Sequence, residues 1–402
     1  SNYAHIFVKY KQTLSHQNVS MQFQTTKIYF NYLAAEGEVI MSIKKANLGL
    51  AMVAAGAMAL GVATTNTAGA TETIKMTAID GYSTKSMWVR EFIGFFIPAI
   101  DKKLAATGNY KIQWNQAFGG QIVKVRGVMS GLQKGLGDIG VVTAVFHGDK
   151  LPLQQIAFAT PFVTTDPGLV ARTFDGLAGK FPAIKQAFAK FGQVYLTNGA
   201  VLDSYQIFSK KSITKLGDFQ GLKVGSAGLN LRWLQGFGAA GVSGSLVTYY
   251  NKLKTGVLDA IMLWPESVAG RKMYEVAPYV LKANLGSVNS KAITANAKSW
   301  KKLPGEVQKA IRAAAVEYRD RLAEQALAKA AGSFAKIKAN GGKIHTMDQA
   351  GRVEWANKMP NVAKGWAASL EKKGLPGNAM LTSYMDTMRA AKQPIIRQWD
   401  KE

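Results

Sequence analysis

The sequence predicts an α/β protein of two similar lobes facing each other across a cleft, with one long helix lying across both. Three observations predict it. First, Leu132–Gly140 (LQKGLGDIG) and Leu253–Ile261 (LKTGVLDAI) share one pattern 121 positions apart: Leu, two spacers, Gly, two spacers, Asp, then apolar residues. Glycine adopts the left-handed backbone that ends helices at little cost, so each reads as a helix stopped at Gly135 or Gly256 and running into a buried strand. Second, the segments around each copy alternate strand and helix in the same order. Third, apolar periodicity runs from Pro304 to Ile337 with no internal Pro. Two lobes of similar construction leave a cleft between them, and clefts bind small molecules.

The chain has 402 residues, 48% hydrophobic, enough for about two domains. It contains no cysteine, which excludes disulfides, thiol nucleophiles and cysteine metal sites. Its four histidines (His5, His16, His147 and His345) are too scattered for a metal centre or a Ser/His triad. No catalytic constellation, metal site or cofactor is therefore expected.

Residues 1–70 read as two segments outside the fold. Met41-Ser-Ile-Lys44-Lys45 opens a positively charged stretch, Ala46–Ala63 is uncharged and rich in Ala, Gly, Leu and Met, and Ala68-Gly-Ala70 supplies a small-x-small cleavage site. This three-part pattern marks 41–70 as a secretory signal peptide. Residues 1–40 precede a credible start methionine and read as a non-native upstream extension. Without residues 1–70, which hold five Lys and two Glu, the net charge falls from +25 to +22. Nucleic acid is the reflex partner for such a charge. In an exported protein whose lysines are dispersed along helices, it reads instead as a solvated basic surface that favours anionic ligands.

In the mature part, Glu72–Asp80 reads as a strand, Lys85–Leu104 as a helix and Tyr110–Ala117 as a second strand. Gly119–Gly120 opens a helix through Leu136, and Ile139–Val145 is a third strand. This order implies a parallel sheet with ligands at the carboxyl ends of its strands. Gln193–Thr197 and Ser204–Phe208 are strands where the chain crosses to the second lobe. There Gly221–Ser226 leads into a helix from Leu231, then the second repeat and the strand Asp259–Leu263. Pro304-Gly-Glu starts the long helix, whose length at 1.5 Å per residue is roughly 50 Å. Helices over about 349–373 and 378–392 finish the chain. Gly135–Gly140 and Gly236–Gly241 both match G-x-G-x-x-G, but each follows a helix and enters a strand or loop. That is the wrong context for a dinucleotide fingerprint.

Several of these segments occur together in one family. They are Phe118-Gly-Gly-Gln through the first repeat, Pro161-Phe162 with Asp166, Ile213–Val224 (ITKLGDFQGLKV), Tyr249-Tyr250 before the second repeat, and Leu303-Pro-Gly-Glu. In their order and spacing, residues 71–395 resemble the periplasmic solute-binding proteins of TRAP transporters, the dicarboxylate-binding type. The resemblance implies a two-lobed periplasmic binding protein fold with hinge strands. Lobe 1 would be 71–200 plus about 289–330, and lobe 2 would be 201–288 plus about 331–402. It implies hinge closure around one small organic acid and delivery to the small and large membrane subunits of a TRAP permease. The location would be the periplasm of a Gram-negative bacterium. The rival reading is an extracytoplasmic sensor presenting its ligand to a signalling receptor.

The resemblance also places an arginine after Gly-Leu-Lys-x to grip the ligand carboxylate, and this chain has Gly225 there. A planar guanidinium fork is hard to replace except by another arginine. Arg232 is the nearest substitute, with Asn230 as the cap of the helix expected from Leu231. Further contacts are expected from Trp264 and Glu266 after the second repeat's strand and from Phe146 after the first. Tyr82 and Trp88 follow the first strand. Phe118 and Gln121 stand at the second helix's start, Tyr205 at the crossing and Tyr249 before the repeat helix. The aromatic share suggests a ligand with apolar or aromatic bulk. Asp138 and Asp259 are expected to be structural, bonding turn amides.

Overall fold

A computed structural model describes residues 70–402; the expected signal peptide and upstream extension lie outside the described residues. Two sheets organise the chain. The first has the order β2-β1-β3-β10-β4, from β1 (Glu72–Ile79), β2 (Tyr110–Ala117), β3 (Ile139–Thr143), β4 (Gln193–Leu202) and β10 (Val288–Asn296). β1 runs parallel to β2 and β3, and β10 lies antiparallel between β3 and β4. The second has the order β11-β9-β5-β8-β6-β7, from β5 (Gln206–Ser209), β6 (Lys223–Ser226), β7 (Ala240–Ser243), β8 (Ala260–Leu263), β9 (Tyr279–Lys282) and β11 (Lys343–Thr346). Each sheet thus combines parallel strands with strands arriving from the other lobe, β10 in the first and β5 and β11 in the second.

The repeat does the same work in both lobes. Asp138 donates its N–H to the Thr77 carbonyl at 2.8 Å, and its carboxylate accepts the Thr77 N–H at 2.7 Å. Asp259 makes the matching pair to Lys223, both bonds at 2.9 Å. Each Asp therefore pins its strand to the neighbouring parallel strand, β1 or β6. In each case the carboxylate supplies the hydrogen-bond partner for that strand amide. The left-handed turns at Gly135 (φ 76°) and Gly256 (φ 76°) end the preceding helices as expected.

The chain crosses between lobes at Asp203–Tyr205, after β4, and at Ala283–Ser287, before β10. The crossings pair with each other: the Tyr205 N–H donates to the Gly286 carbonyl and the Leu285 N–H to the Tyr205 carbonyl. Beside them runs Pro161–Thr164, with the Phe162 N–H bonded to Leu285 O and the Ser287 N–H to Thr164 O. The second crossing lies close to the 288/289 boundary that the resemblance implied, whereas β7, β9, β10 and β11 are strands that sequence reasoning did not identify.

Some helices differ from expectation. The one expected over Lys85–Leu104 begins at α1 (Met87–Glu91), widens into a π-helical turn at Phe92–Phe96 and ends as α2 (Ile97–Ala105). The second opens at Val128 rather than Gly119–Gly120, because both glycines take positive φ. The helix expected from Leu231 is a 3-10 turn, Gly228–Leu234. The long helix spans Gly305–Ala339, 35 residues, and buries Val307, Ile311, Ala314, Tyr318, Leu322 and Ala326 along one face. It packs on β4 and on the helix Pro265–Gly270, one element from each sheet's lobe. Tyr318 donates to the Trp88 carbonyl at 2.6 Å, and Arg319 reaches Asp175 at 2.8 Å. Asp175 also accepts from Tyr195, Thr197 and the Asn198 N–H, which ties the helix to β4. The C-terminal stretch does not stay with one lobe. Trp355 packs against Phe219 and Phe237, whereas the helix Gly377–Ala390 lies against Pro167–Lys180.

Candidate functional site

Three adjoining cavities form one groove between the sheets, at the carboxyl ends of β1, β3, β6 and β8. The central one is lined by Tyr82, Thr143, Phe146, Tyr205, Ser226, Tyr249, Leu263, Trp264, Ser290 and Lys291, among others. It holds about 30 Å³, room for a water molecule or two. A mouth of about 670 Å³ opens beside it, sharing Tyr82 and Leu246 and lined by Lys85, Arg271 and Lys272. Another, of about 470 Å³, shares Val145 and Phe146 and carries Arg126, Arg232 and Lys373. The central space is narrow, and the two wider mouths adjoin it.

The walls are aromatic and come from both lobes. Tyr205 packs edge-on against Trp264 (centroids 5.7 Å) and Trp233 (5.6 Å). Tyr82 stands edge-on to Trp88 at 5.0 Å. The Arg126 guanidinium covers the Phe146 ring at 4.1 Å. Between these walls lie polar atoms with nothing to bond. Thr143 Oγ1, Ser290 Oγ, Tyr249 OH and Trp264 Nε1 are buried and have no hydrogen-bond partner among the described residues. Buried polar groups are normally paired, and leaving one unpaired costs about 1–3 kcal/mol. Four around one cavity, three hydroxyls and an indole N–H, make a cradle for acceptor oxygens.

The cavity's charge is Lys291, on β10, only 2% exposed. Its ammonium lies 4.2 Å from the Trp88 ring centroid and 5.4 Å from that of Tyr82. Asp80, fully buried just beyond β1, accepts from the Tyr82 N–H and from Trp88 Nε1, both at 2.9 Å. Burial pushes the Asp80 carboxyl well above the usual carboxylate range, against the pull of the Tyr82 N–H and the Lys291 charge. Burial likewise pulls Lys291 well below the usual lysine range, against the nearby Asp80.

The residues expected at the site divide. Tyr82, Phe146, Tyr205, Tyr249 and Trp264 converge on the central cavity. Trp88 lies beneath it as a platform for Lys291. Glu266 is 7% exposed and holds an interlobe ion pair with Arg90 at 3.0 Å; the neighbouring contact is Arg271 on Ser86 Oγ at 2.6 Å. Arg232 is exposed and lines the smaller mouth rather than the central space, because the 3-10 turn carries its side chain outward. Asn230 caps no α-helix: its Oδ1 accepts from Ser226 Oγ and the Ala227 N–H. Phe118 is packed in the core, 5.6 Å from Phe92. Gln121 is exposed and lines none of these cavities.

Gly225 leaves no room for the arginine that the resemblance places there. A Cβ there would stand 2.5 Å from Leu258 Cδ1 and 3.0 Å from Tyr249 Cε1. The Tyr249 ring fills that space. Lys291, Thr143, Ser290, Ser226, Ser245 and Leu246 went unidentified in the sequence. The one available signal was a lysine amid small polar residues in Val288–Asn296 (VNSKAITAN), which reads as surface unless the segment is recognised as a crossing strand.

Comparison with known proteins adds the following. A family model described as DctP, bacterial extracellular solute-binding protein family 7, matches residues 100–373, more than half of the chain. No curated protein matches. Among solved structures, an extracytoplasmic solute receptor of Bordetella pertussis binding pyroglutamic acid is similar at 19% identity and TM-score 0.67, over 79% of this chain and 99% of that one. A TRAP solute-binding protein of Rhodoferax ferrireducens T118 in complex with copurified benzoate is similar at 18% identity and TM-score 0.69, over 79% and 98%. The periplasmic ectoine-binding protein of Halomonas elongata is similar at 19% identity and TM-score 0.65, over 79% and 100%.

Proposed function

The chain belongs to bacterial extracellular solute-binding protein family 7, the solute receptors of TRAP transporters, and from that premise we propose that it captures a small organic acid with an apolar or aromatic body. The ligand sits in the central cavity, between Tyr82, Phe146, Tyr205, Tyr249 and Trp264, and the protein hands it to the small and large permease subunits. Export through the segment 41–70 would place it in the periplasm. The observation that carries this reading is the set of four buried, unpartnered polar atoms around a cavity with aromatic walls and one cation. The similar proteins that hold pyroglutamate, benzoate and ectoine support a carboxylate-bearing ligand of that size.

Mechanistically, lobe 1 contributes Lys291, Thr143, Ser290 and Tyr82, and lobe 2 contributes Tyr249, Trp264, Ser226 and Ser245. A ligand bridging both sets stabilises the shut form, and the Arg90–Glu266 and Arg271–Ser86 contacts then close across the lobes. A thermal-shift screen of benzoate, pyroglutamate, ectoine and galacturonate tests it. A binding acid at a hundred times its dissociation constant stabilises the fold by about 2.7 kcal/mol. If no acid raises the melting temperature, the reading fails.

A further inference from the structure

We propose that Lys291 grips the ligand carboxylate, with Asp80 as its buried counter-ion, so that each acid molecule is taken up together with one proton. The inference rests on the reading of the cleft as an acid site.

The geometry comes first. Among the described residues, Lys291 is the one formally charged residue lining the central cavity. Its register partner across β10 and β3 is Thr143, and Ser290 precedes it in the chain, so two of the unpartnered hydroxyls flank the ammonium. Among the described residues, no carboxylate lies within 4.0 Å of its nitrogen. Asp80 reaches it through Trp88, whose ring the ammonium covers and whose N–H Asp80 accepts. The lysine is thus oriented by a buried acid while its donors remain available to the cavity.

The other groups facing it decide the proton count. Tyr82 stands on the turn after β1 and Tyr249 on the helix Tyr249–Lys254. Both phenols are held above their ordinary range by burial, so both stay neutral. Arg271, beyond the helix Pro265–Gly270, disfavours a charged Lys291 from the side. Arg126 is stacked on Phe146 towards the smaller mouth. Near neutrality, without ligand, Asp80 and Lys291 share one proton and carry no net charge, whether as an ion pair or as a neutral pair. A ligand carboxylate added to either state leaves one uncompensated negative charge in a buried space, which is costly. Protonating the pair once, to a charged ammonium beside a neutral carboxylic acid, removes it. Burial has raised Asp80 and lowered Lys291 towards each other, so that proton is available near neutrality.

The site therefore suits monocarboxylates: a second carboxylate finds no further cation in the central cavity. Affinity falls towards tenfold per pH unit on the alkaline side, where the free pair has no spare proton. The test is calorimetry with benzoate and pyroglutamate, and with benzamide and pyroglutamide as neutral partners, in buffers of different ionisation enthalpy. The expected results are uptake of about one proton per acid near neutrality and none with the amides. Lys291→Met weakens acid binding about 10- to 100-fold and abolishes the preference for acid over amide. Lys291→Arg keeps that preference. Acid binding without proton uptake, or Lys291→Met within twofold of wild type, overturns the inference and leaves the acid-binding reading standing. If neither acid binds, both fall.

Discussion

Placing the arginine that the resemblance implies at position 225 should harm this protein rather than improve it. Any side chain there begins with a Cβ 2.5 Å from Leu258 Cδ1, 3.0 Å from Tyr249 Cε1 and 3.3 Å from Ile261 Cγ2. Ordinary carbon contacts lie near 3.5–4.0 Å, so the first is short by about 1 Å. Leu258 and Ile261 are fully buried and Tyr249 is 1% exposed, so none can swing into solvent. Overpacking of this kind costs about 1–3 kcal/mol for Gly225→Ala, a melting-temperature loss of about 1–4 °C in a fold of this length. Gly225→Arg costs more and displaces Tyr249 from the cavity. Melting curves and urea titrations of Gly225→Ala, Leu258→Ala and the double variant read this directly. Leu258→Ala alone costs about 2–5 kcal/mol, and shortening Leu258 relieves the clash. The double variant is therefore expected to lose less than the two single losses together. If Gly225→Arg melts with wild type and binds acid more tightly, the packing argument is wrong.

Two further outcomes follow from the buried polar groups. Asp203 is 4% exposed with an unpartnered oxygen, and burial, then the Glu266 charge, raise its carboxyl well above the usual range. A raised folded-state value means that stability is lost as pH climbs from the unfolded carboxylate value, about 3.9, through the folded one. Asp203→Asn should raise the melting temperature at pH 8 and leave it unchanged near pH 4; an equal shift at both would remove Asp203 as the cause. Trp264→Phe deletes an indole N–H that has no hydrogen-bond partner among the described residues. Acid affinity should fall several-fold in calorimetry with little loss of unfolding free energy in urea, whereas equal losses in both would make Trp264 a packing residue only.

The fold was legible where it rests on local rules. The helix-ending glycines, the apolar runs after Asp138 and Asp259 and the Pro-started long helix each carry their own signal. The aromatic residues at strand ends were also legible, because a parallel strand must deliver its next side chains to the sheet's carboxyl edge. What escaped was non-local. The strand Val288–Asn296 is buried along its whole length while carrying Asn, Ser, Lys and Thr, so alternation gave no sign of it. Lys291 is tolerable there only because β1 brings Asp80 and α1 brings Trp88 to the same place. Arg232 was misplaced for a related reason: three residues of 3-10 geometry turn a side chain to a different bearing than an α-helix does.

The pins made by Asp138 and Asp259 lie at the opposite ends of their strands from the cavity. A slip of one residue would turn every side chain of a strand to the other face, and each pin forbids that slip from a distance. Register and recognition are consequently written in separate parts of the same strands. The residues that meet the solute can be exchanged without asking the sheet to find its alignment again, so one scaffold can be re-addressed to a new nutrient by changing little more than the tips of its strands.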